Sequence, residues 1–451
     1  MNVTNGLKSW SVLLLIIFLT SCSNDVKDFT PEQAAHEVIE LLRTGDYQTV
    51  HDQWFGEELQ ASIPMDQLER EWEKRSADGG EFVDVHSLNV EKRANNLEVI
   101  EGKVEYTNLT LDFRMIFNNQ LLVGFSLPNS ITNASLPDSI VEEEIIVGEG
   151  TAYELGGTLT LPKNQDNLPA VVLVHGSGPS DRDESVYAYK PFRDIAWGLA
   201  EQGIAVIRYD KRTYTYGEKA VKDTNKITVY EETIEDAIRA TELLKSDKRI
   251  DENNVYILGH SLGGMLAPRI DLQGGDYAGI IILAGSPRPL WEIVYDQNKA
   301  VLENTPMNES DKNEQKELVE EEYKKAQQLR EISEDEAKKM TVFGMNGYYL
   351  KEMDQYNVAS IVSKLDKPLF ILQGEDDFQV SYEKDFTAWQ ELLEDSENAT
   401  ISSYPDLNHF FVDYQGPGEG TIKEYETPKQ VDKKVINDIG EWMFTQLKEN
   451  N

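Results

Sequence analysis

A serine hydroxyl attacks a carbonyl only when a base takes its proton, and Ser261 sits in a setting that allows this. It is the centre of Gly259-His260-Ser261-Leu262-Gly263, a Gly-x-Ser-x-Gly run. The apolar, β-rich stretch Asn254-Val255-Tyr256-Ile257-Leu258 precedes the run, and Gly264-Met265-Leu266-Ala267 follows it as a helix start. A strand-to-helix turn this tight excludes side chains at Gly259 and Gly263, and it lifts the serine hydroxyl above the sheet edge. Chance alone places such a pentapeptide in roughly every seventh chain of this length, so its surroundings must decide. One histidine follows Ser261 in the sequence: His409, in Tyr404-Pro405-Asp406-Leu407-Asn408-His409-Phe410-Phe411. That histidine is the candidate base, and it needs a carboxylate to hold its tautomer. The oxyanion formed on attack needs two backbone N–H donors. Leu262, directly after the serine, is one candidate. Ser177 is the other, in the loop His175-Gly176-Ser177-Gly178-Pro179, where the glycines let backbone approach a substrate; the alternative for that loop is a plain flexible turn.

These residues need a scaffold, and from Ile140 onward strand and helix signals alternate. Strand candidates are 141–147, 152–161, 169–174, 204–209, 254–258, 279–284, 368–373 and 399–404. Helical stretches lie at 191–202, 230–246, 262–270, 382–394 and about 430–448. The first two strands suit an antiparallel pair. From Ala170-Val171-Val172-Leu173-Val174 the strands are short unbroken apolar runs, as a parallel sheet covered on both faces requires. The order predicts an open, mostly parallel sheet with helices on both faces, and ligands collect at the carboxyl ends of such strands. Ser261 lies at one of those ends.

With these elements in place, residues 140–451 resemble an α/β-hydrolase of the serine esterase type. The stretch His-Gly-Ser-Gly-Pro-x-Asp-Arg-Asp-Glu at 175–184, with Asp210-Lys211-Arg212-Thr213 after a later strand, is similar to bacterial carboxylesterases that carry an extra N-terminal domain. The resemblance implies an eight-stranded sheet and a nucleophile–acid–histidine order along the chain. It puts the acid in the loop after the strand Pro368–Leu372, where Gly374, Asp377 and Val380 match a Gly-x-x-Asp-x-x-Val spacing. Asp377 is the choice, and Asp376 becomes the acid if the loop path shifts by one residue. The implied reaction is hydrolysis of a small-molecule carboxylic ester through an acyl-enzyme on Ser261, with no cofactor. Residues 181–184 and Lys211-Arg212 are expected to order loops around the site rather than touch substrate.

The β/α alternation breaks between 287 and 366, a helix-rich insertion expected to cap the site as a lid. Leu318, Val319, Tyr323, Ala326, Leu329 and Ile332 form the apolar stripe of one of its helices. Trp291, Tyr295, Phe343, Tyr348 and Tyr349 are candidates for a substrate pocket.

Upstream, Lys8 and the apolar run Val12–Leu19 fit a secretory signal over residues 1–21. The run ends Leu19-Thr20-Ser21-Cys22, which resembles the lipobox of bacterial lipoproteins. That resemblance implies a lipidated Cys22, a polar tether over 22–28, and an extracytoplasmic protein anchored to a bacterial cell membrane. Residues 29–128 read as a small α+β domain. Thr30-Pro31-Glu32-Gln33 opens a helix through a capping box, and helices give way after Gly79-Gly80 to period-two strands. The clearest strand alternates Leu109, Leu111, Phe113, Met115 and Phe117. The pattern resembles the cone-shaped nuclear-transport-factor-like fold, a candidate for partner binding or homodimerisation. Residues 129–139 read as a linker.

Composition narrows the partners. The formal charge of −38, from 43 basic and 81 acidic residues in 451, repels nucleic acid and anionic lipid headgroups. A single cysteine excludes an intramolecular disulfide, and no metal-binding cluster of His and carboxylates is spaced for a zinc site. Two other function classes remain open: a peptidase or acyltransferase on the same fold, and a ligand-binding surface lipoprotein whose hydrolase fold has no catalytic role.

Overall fold

The computed structural model describes residues 29–449 except 78, 94–96, 128–129, 133, 222–226, 305–306 and 417. Cys22 and the expected signal and tether lie outside the described residues.

The N-terminal part opens with the helix Pro31–Arg43, whose Thr30–Gln33 capping box forms as its sequence requires. The next helical stretch is interrupted rather than continuous: Tyr47–Thr49 runs into Val50–Trp54, extends at Phe55, and resumes at Glu57–Ser62. The helix Met65–Ser76 completes the set. An antiparallel sheet follows, in the order β1 (Phe82–Lys92), β2 (Leu97–Tyr106), β3 (Leu109–Asn118), β4 (Leu121–Ser126). Every second residue of β3 from Leu109 to Phe117 is buried, so one face of the sheet packs on the helices. Each such side chain contributes roughly 1.5–3 kcal/mol relative to exposure. A short β5 (Ser130–Thr132) pairs with β3, within the stretch whose composition reads as linker.

The remainder is built on an eight-stranded sheet. Its strands along the chain are β6 (Ile140–Val147), β7 (Leu155–Pro162), β8 (Leu168–Val174), β9 (Ala205–Tyr209), β10 (Ile250–His260) and β11 (Ile280–Leu283). After a small hairpin, β12 (Thr341–Val342) and β13 (Met345–Asn346), come β14 (Leu369–Gly374) and β15 (Ala399–Tyr404). The spatial order is β15-β14-β11-β10-β8-β9-β7-β6. From β15 to β9 all neighbours are parallel, while β7 and β6 close the edge antiparallel. This is the α/β-hydrolase architecture.

The unbroken apolar strands follow from burial on both faces. Ala170, Val172 and Val174 of β8 join one hydrophobic cluster, and Val171 and Leu173 join the other. The insertion between β11 and β14 is helical, with Leu290–Asn304, Glu309–Gln328 and Gly347–Gln355 as its main helices. It extends the first cluster through Ala326, Leu329, Tyr349 and Leu350. The apolar stripe expected on Glu309–Gln328 is only half used. Ala326 and Leu329 are buried, but Leu318 is 49% exposed, because the first half of that helix stands off the body.

The two parts touch beside the site. Arg75, at the end of Met65–Ser76, pairs with Glu426 at 3.0 Å, and Lys74 lies over the ring of Tyr414. Both partners belong to the segment that follows His409.

Candidate active site

Ser261 occupies the turn between β10 and the helix Leu262–Ile270, with φ 53° and ψ −116°. A serine holds this left-handed conformation only when its surroundings fix it. Two backbone bonds do so: its N–H donates to Leu283 of β11, and its carbonyl accepts from Met265. A side chain at Gly259 would place Cβ 2.1 Å from the Gly263 carbonyl oxygen, and one at Gly263 would place it 2.1 Å from the Val174 carbonyl oxygen, so both positions must be glycine for the turn to close. The turn lies at the centre of the sheet, at the carboxyl end of β10.

The histidine loop comes from beyond β15. Asn408 Oδ1 accepts the N–H groups of Phe410 and Val412 and so shapes the turn around His409. His409 Nδ1 stands 2.7 Å from Asp377 Oδ2. A carboxylate only accepts, so Nδ1 carries the hydrogen and Nε2 keeps its lone pair. Asp377 is held in turn by Gln373 Nε2 on Oδ2 and by the N–H groups of Gln379 and Val380 on Oδ1. Asp376 is exposed and its N–H donates to Leu407, so the loop path brings Asp377 to the histidine. Partial desolvation by the surrounding loops, then the Asp406 and Glu419 carboxylates, pushes the Asp376 carboxyl above the usual range even though the side chain reaches solvent.

The residue before the serine ties these loops together. His260 Nε2 donates to the His409 carbonyl oxygen at 3.0 Å, and the two rings lie 4.7 Å apart between centroids. Its Nδ1 lies 3.0 Å from Glu184 Oε2, an ion-pair distance without hydrogen-bond alignment. Burial works against charge on His260, but the Glu184 carboxylate outweighs it and raises the imidazole pKa. Burial likewise opposes the Glu184 charge, and His260 outweighs it to lower that carboxyl. Glu184 Oε1 accepts the Gly176 N–H at 2.7 Å, so the same carboxylate holds the loop that contains Ser177. Among the described residues neither the Ser177 N–H nor the Leu262 N–H has a hydrogen-bond partner, and Ser261 Oγ and His409 Nε2 have none. Catalytic hydrogen bonds often tighten only when substrate is present.

The serine and the two oxyanion candidates open on a cavity of about 340 Å³ between the serine turn and the lid, and His409 is not among its described lining residues. Ser177, Ser261 and Leu262 line it with Ile227, Met265, Leu290, Ile293, Val294, Met345 and Val380. Glu232 is the one ionisable carboxylate among its described lining residues, and Lys211 Nζ and the Tyr349 hydroxyl each engage it at 2.7 Å. Of the five aromatic residues proposed for the pocket, only Tyr349 lines it. Trp291 is core and donates to Asp354, Tyr295 packs at a tilt on Tyr323, and Tyr348 sits under Lys338. Phe343 is partly buried in the core of the lid.

The charges at 181–184 and 211–212 face protein. Arg182 pairs with Asp210 and Glu144, Asp183 with Lys190 and Arg208, and Arg212 with Asp236 and Glu235. Glu184 and Lys211 order a loop as expected, the one that contains Ser177. His260 is the site residue whose role the sequence pattern does not single out, and its one local signal is its position at the carboxyl end of β10.

Fold and site together define a hydrolase of the α/β-hydrolase fold. Residues 165–413 match the family model described as "Serine aminopeptidase, S33", and the chain belongs to that family. Residues 35–125 match a second model, described as "Protein of unknown function (DUF3887)". The chain is 34% identical over 397 residues to Esterase EstD of Thermotoga maritima, covering 86% of this chain and 89% of that protein. Among solved structures it is similar to Est1E from Butyrivibrio proteoclasticus, at 16% identity and TM-score 0.44, over 68% of this chain and 99% of the other. It is also similar to a puromycin-hydrolyzing peptidase of Mycobacterium tuberculosis, at 15% identity and TM-score 0.45, over 77% of this chain and 46% of the other.

Proposed function

We propose that the protein is a carboxylic ester hydrolase in which Ser261, Asp377 and His409 act as a catalytic triad. His409 Nε2 takes the Ser261 proton as Oγ attacks the ester carbonyl, and Asp377 stabilises the imidazolium that forms. The N–H groups of Ser177 and Leu262 receive the oxyanion. On collapse His409 returns the proton to the departing alcohol, leaving an acyl-Ser261. Water, deprotonated by the same histidine, then releases the acid and restores the serine. The observation that carries this reading is the Asp377–His409 bond, in a loop tied to the residue before Ser261 by the His260–His409 carbonyl bond, with no hydrogen-bond partner on Nε2 among the described residues.

The cavity favours an ester of an uncharged acyl group over a peptide with a free amino terminus. An α-ammonium needs an unpaired carboxylate, and the only one among the described lining residues is already engaged by Lys211 and Tyr349. The relationship to Esterase EstD over most of both chains supports the same choice. Lipid anchoring through Cys22 at the outer face of a bacterial membrane is part of the proposal; its support is the Val12–Leu19 run and the Leu-Thr-Ser-Cys sequence.

Stopped-flow hydrolysis of nitrophenyl esters, with mass spectrometry of the quenched enzyme, tests the chemistry. The expected result is a burst of nitrophenol and an acyl mass on the peptide containing Ser261, with the matching amide turned over far more slowly. A burst with the acyl group on another residue would overturn the triad.

A further inference from the structure

Two buried charges grip the backbone that carries the Ser177 N–H. Gly176 donates its N–H to Glu184 Oε1 at 2.7 Å, and its carbonyl accepts from Lys211 Nζ at 2.9 Å. The Gly176 carbonyl and the Ser177 N–H belong to one peptide unit. That unit is planar and trans, so fixing where its C=O points also fixes where its N–H points, in the opposite direction. The site of action is close: a Cβ on Gly176 would stand 3.1 Å from Ser261 Cβ, and Ser177 lines the cavity beside Ser261. Lys211 is only 2% exposed, too buried for a surface lysine, and its second partner is Glu232 Oε1 at 2.7 Å.

We infer that Lys211 is a positioning residue for ester hydrolysis: by holding the Gly176 carbonyl, it aims and polarises the Ser177 N–H that receives the oxyanion. This rests on the reading of Ser177 as an oxyanion donor. A carbonyl that accepts from a cation draws electron density from its own peptide nitrogen, and hydrogen bonds chained through one peptide strengthen each other. The effect is largest in a site shielded from water, because an aimed donor there costs no reorganisation as charge develops. Glu232 keeps the lysine in place, and the Tyr349 hydroxyl joins Glu232 from the lid helix Gly347–Gln355. The lid therefore ends on the same network that aims the oxyanion donor.

The test is Lys211→Met together with the double variant Lys211→Met/Glu232→Gln. The double variant removes the buried pair as a unit, so no lone carboxylate is left if the single variant folds badly. Three quantities are read on folded protein: kcat/KM for a nitrophenyl ester, Ki for a trifluoromethyl ketone that forms a tetrahedral oxyanion on the serine, and Kd of intact ester in a Ser261→Ala background. Loss of one oxyanion donor outright costs roughly 10²–10³-fold, so misaiming one should lower kcat/KM by about 10–100-fold. The ketone Ki should rise by the same factor while the ester Kd stays within about threefold. Unchanged kcat/KM in the folded double variant would overturn the inference. So would equal weakening of ketone and ester, which is the signature of a merely structural lysine. Failure of the triad itself looks different: Ser261→Ala would then hydrolyse the ester as fast as the wild type, whatever Lys211 does.

Discussion

Two buried histidine–carboxylate pairs lie side by side in this molecule, and they are built for different work. His409–Asp377 and His260–Glu184 have rings 4.7 Å apart, and all four side chains are nearly solvent-free. In the first pair only Nδ1 is occupied, and the carboxylate spends its remaining capacity on Gln373, Gln379 and Val380. In the second pair both nitrogens face acceptors, Glu184 on one side and the His409 carbonyl on the other. A histidine whose two nitrogens both face acceptors is favoured in its protonated form, which has no lone pair to take a proton. The pair alone does not make a base; a nitrogen left without a partner does. His260–Glu184 instead joins three loops: the serine turn that His260 precedes, the His409 loop, and the Gly176 loop.

The sharpest way to break this contrast is to remove each histidine. His409→Ala should lower kcat/KM by about 10⁴-fold or more with a smaller loss of stability than at His260, because Asp377 keeps its bonds from Gln373, Gln379 and Val380. His260→Ala should do the reverse, since it strands Glu184 as an uncompensated buried charge. Such losses cost about 3–5 kcal/mol in stability, with a smaller fall in activity of about 10–100-fold. Equal activity losses in the two variants would erase the distinction.

A finer contrast replaces the carboxylates. Asp377→Asn puts the wrong tautomer on His409 and should cost about 10³–10⁴-fold in kcat, measured under saturating ester. Glu184→Gln keeps an oxygen for the Gly176 N–H and should cost about tenfold. A larger loss for Glu184→Gln than for Asp377→Asn would reverse the roles assigned to the two pairs.

The smallest expected effect is a pH window. The His260 pKa is raised, so the stability it contributes is complete below its unfolded value near 6.5 and is lost as pH rises through the raised folded value. Glu184 is lowered, so its contribution is present above its unfolded value of about 4.5 and is lost as pH falls through the lowered folded value. Urea midpoints across pH should therefore show a plateau between those limits. In His260→Asn/Glu184→Gln the corresponding acid and alkaline losses should shrink. Curves of identical shape in both proteins would contradict the linkage.

Much of the catalytic half of this contrast is legible in the sequence, and little of the structural half. The serine turn announces itself through glycines that no side chain can replace, and His409 through being the last histidine in the chain. The sheet is legible because strands covered on both faces must be apolar throughout, as β8 and β10 are. The choice between Asp377 and Asp376 is not, since adjacent residues differ only in loop path. Buried charges are hidden for a related reason: a charged residue is buried by its partner, and the partner can lie anywhere in the chain. Arg75 and Glu426 are 351 residues apart, and Glu184 meets His260 with all of β9 between them in the chain. The lid misleads in the other direction, where Leu318 continues an apolar stripe but stays half exposed.

The central claim is that Ser261 is the nucleophile and His409, not His260, its base. Labelling with a fluorophosphonate probe, followed by peptide mapping, tests it most directly. One labelled peptide is expected, containing Ser261, with labelling abolished in Ser261→Ala, strongly slowed in His409→Ala, and within about 10–100-fold of the wild-type rate in folded His260→Ala. Labelling that persists in Ser261→Ala, or that depends on His260 more than on His409, would contradict it.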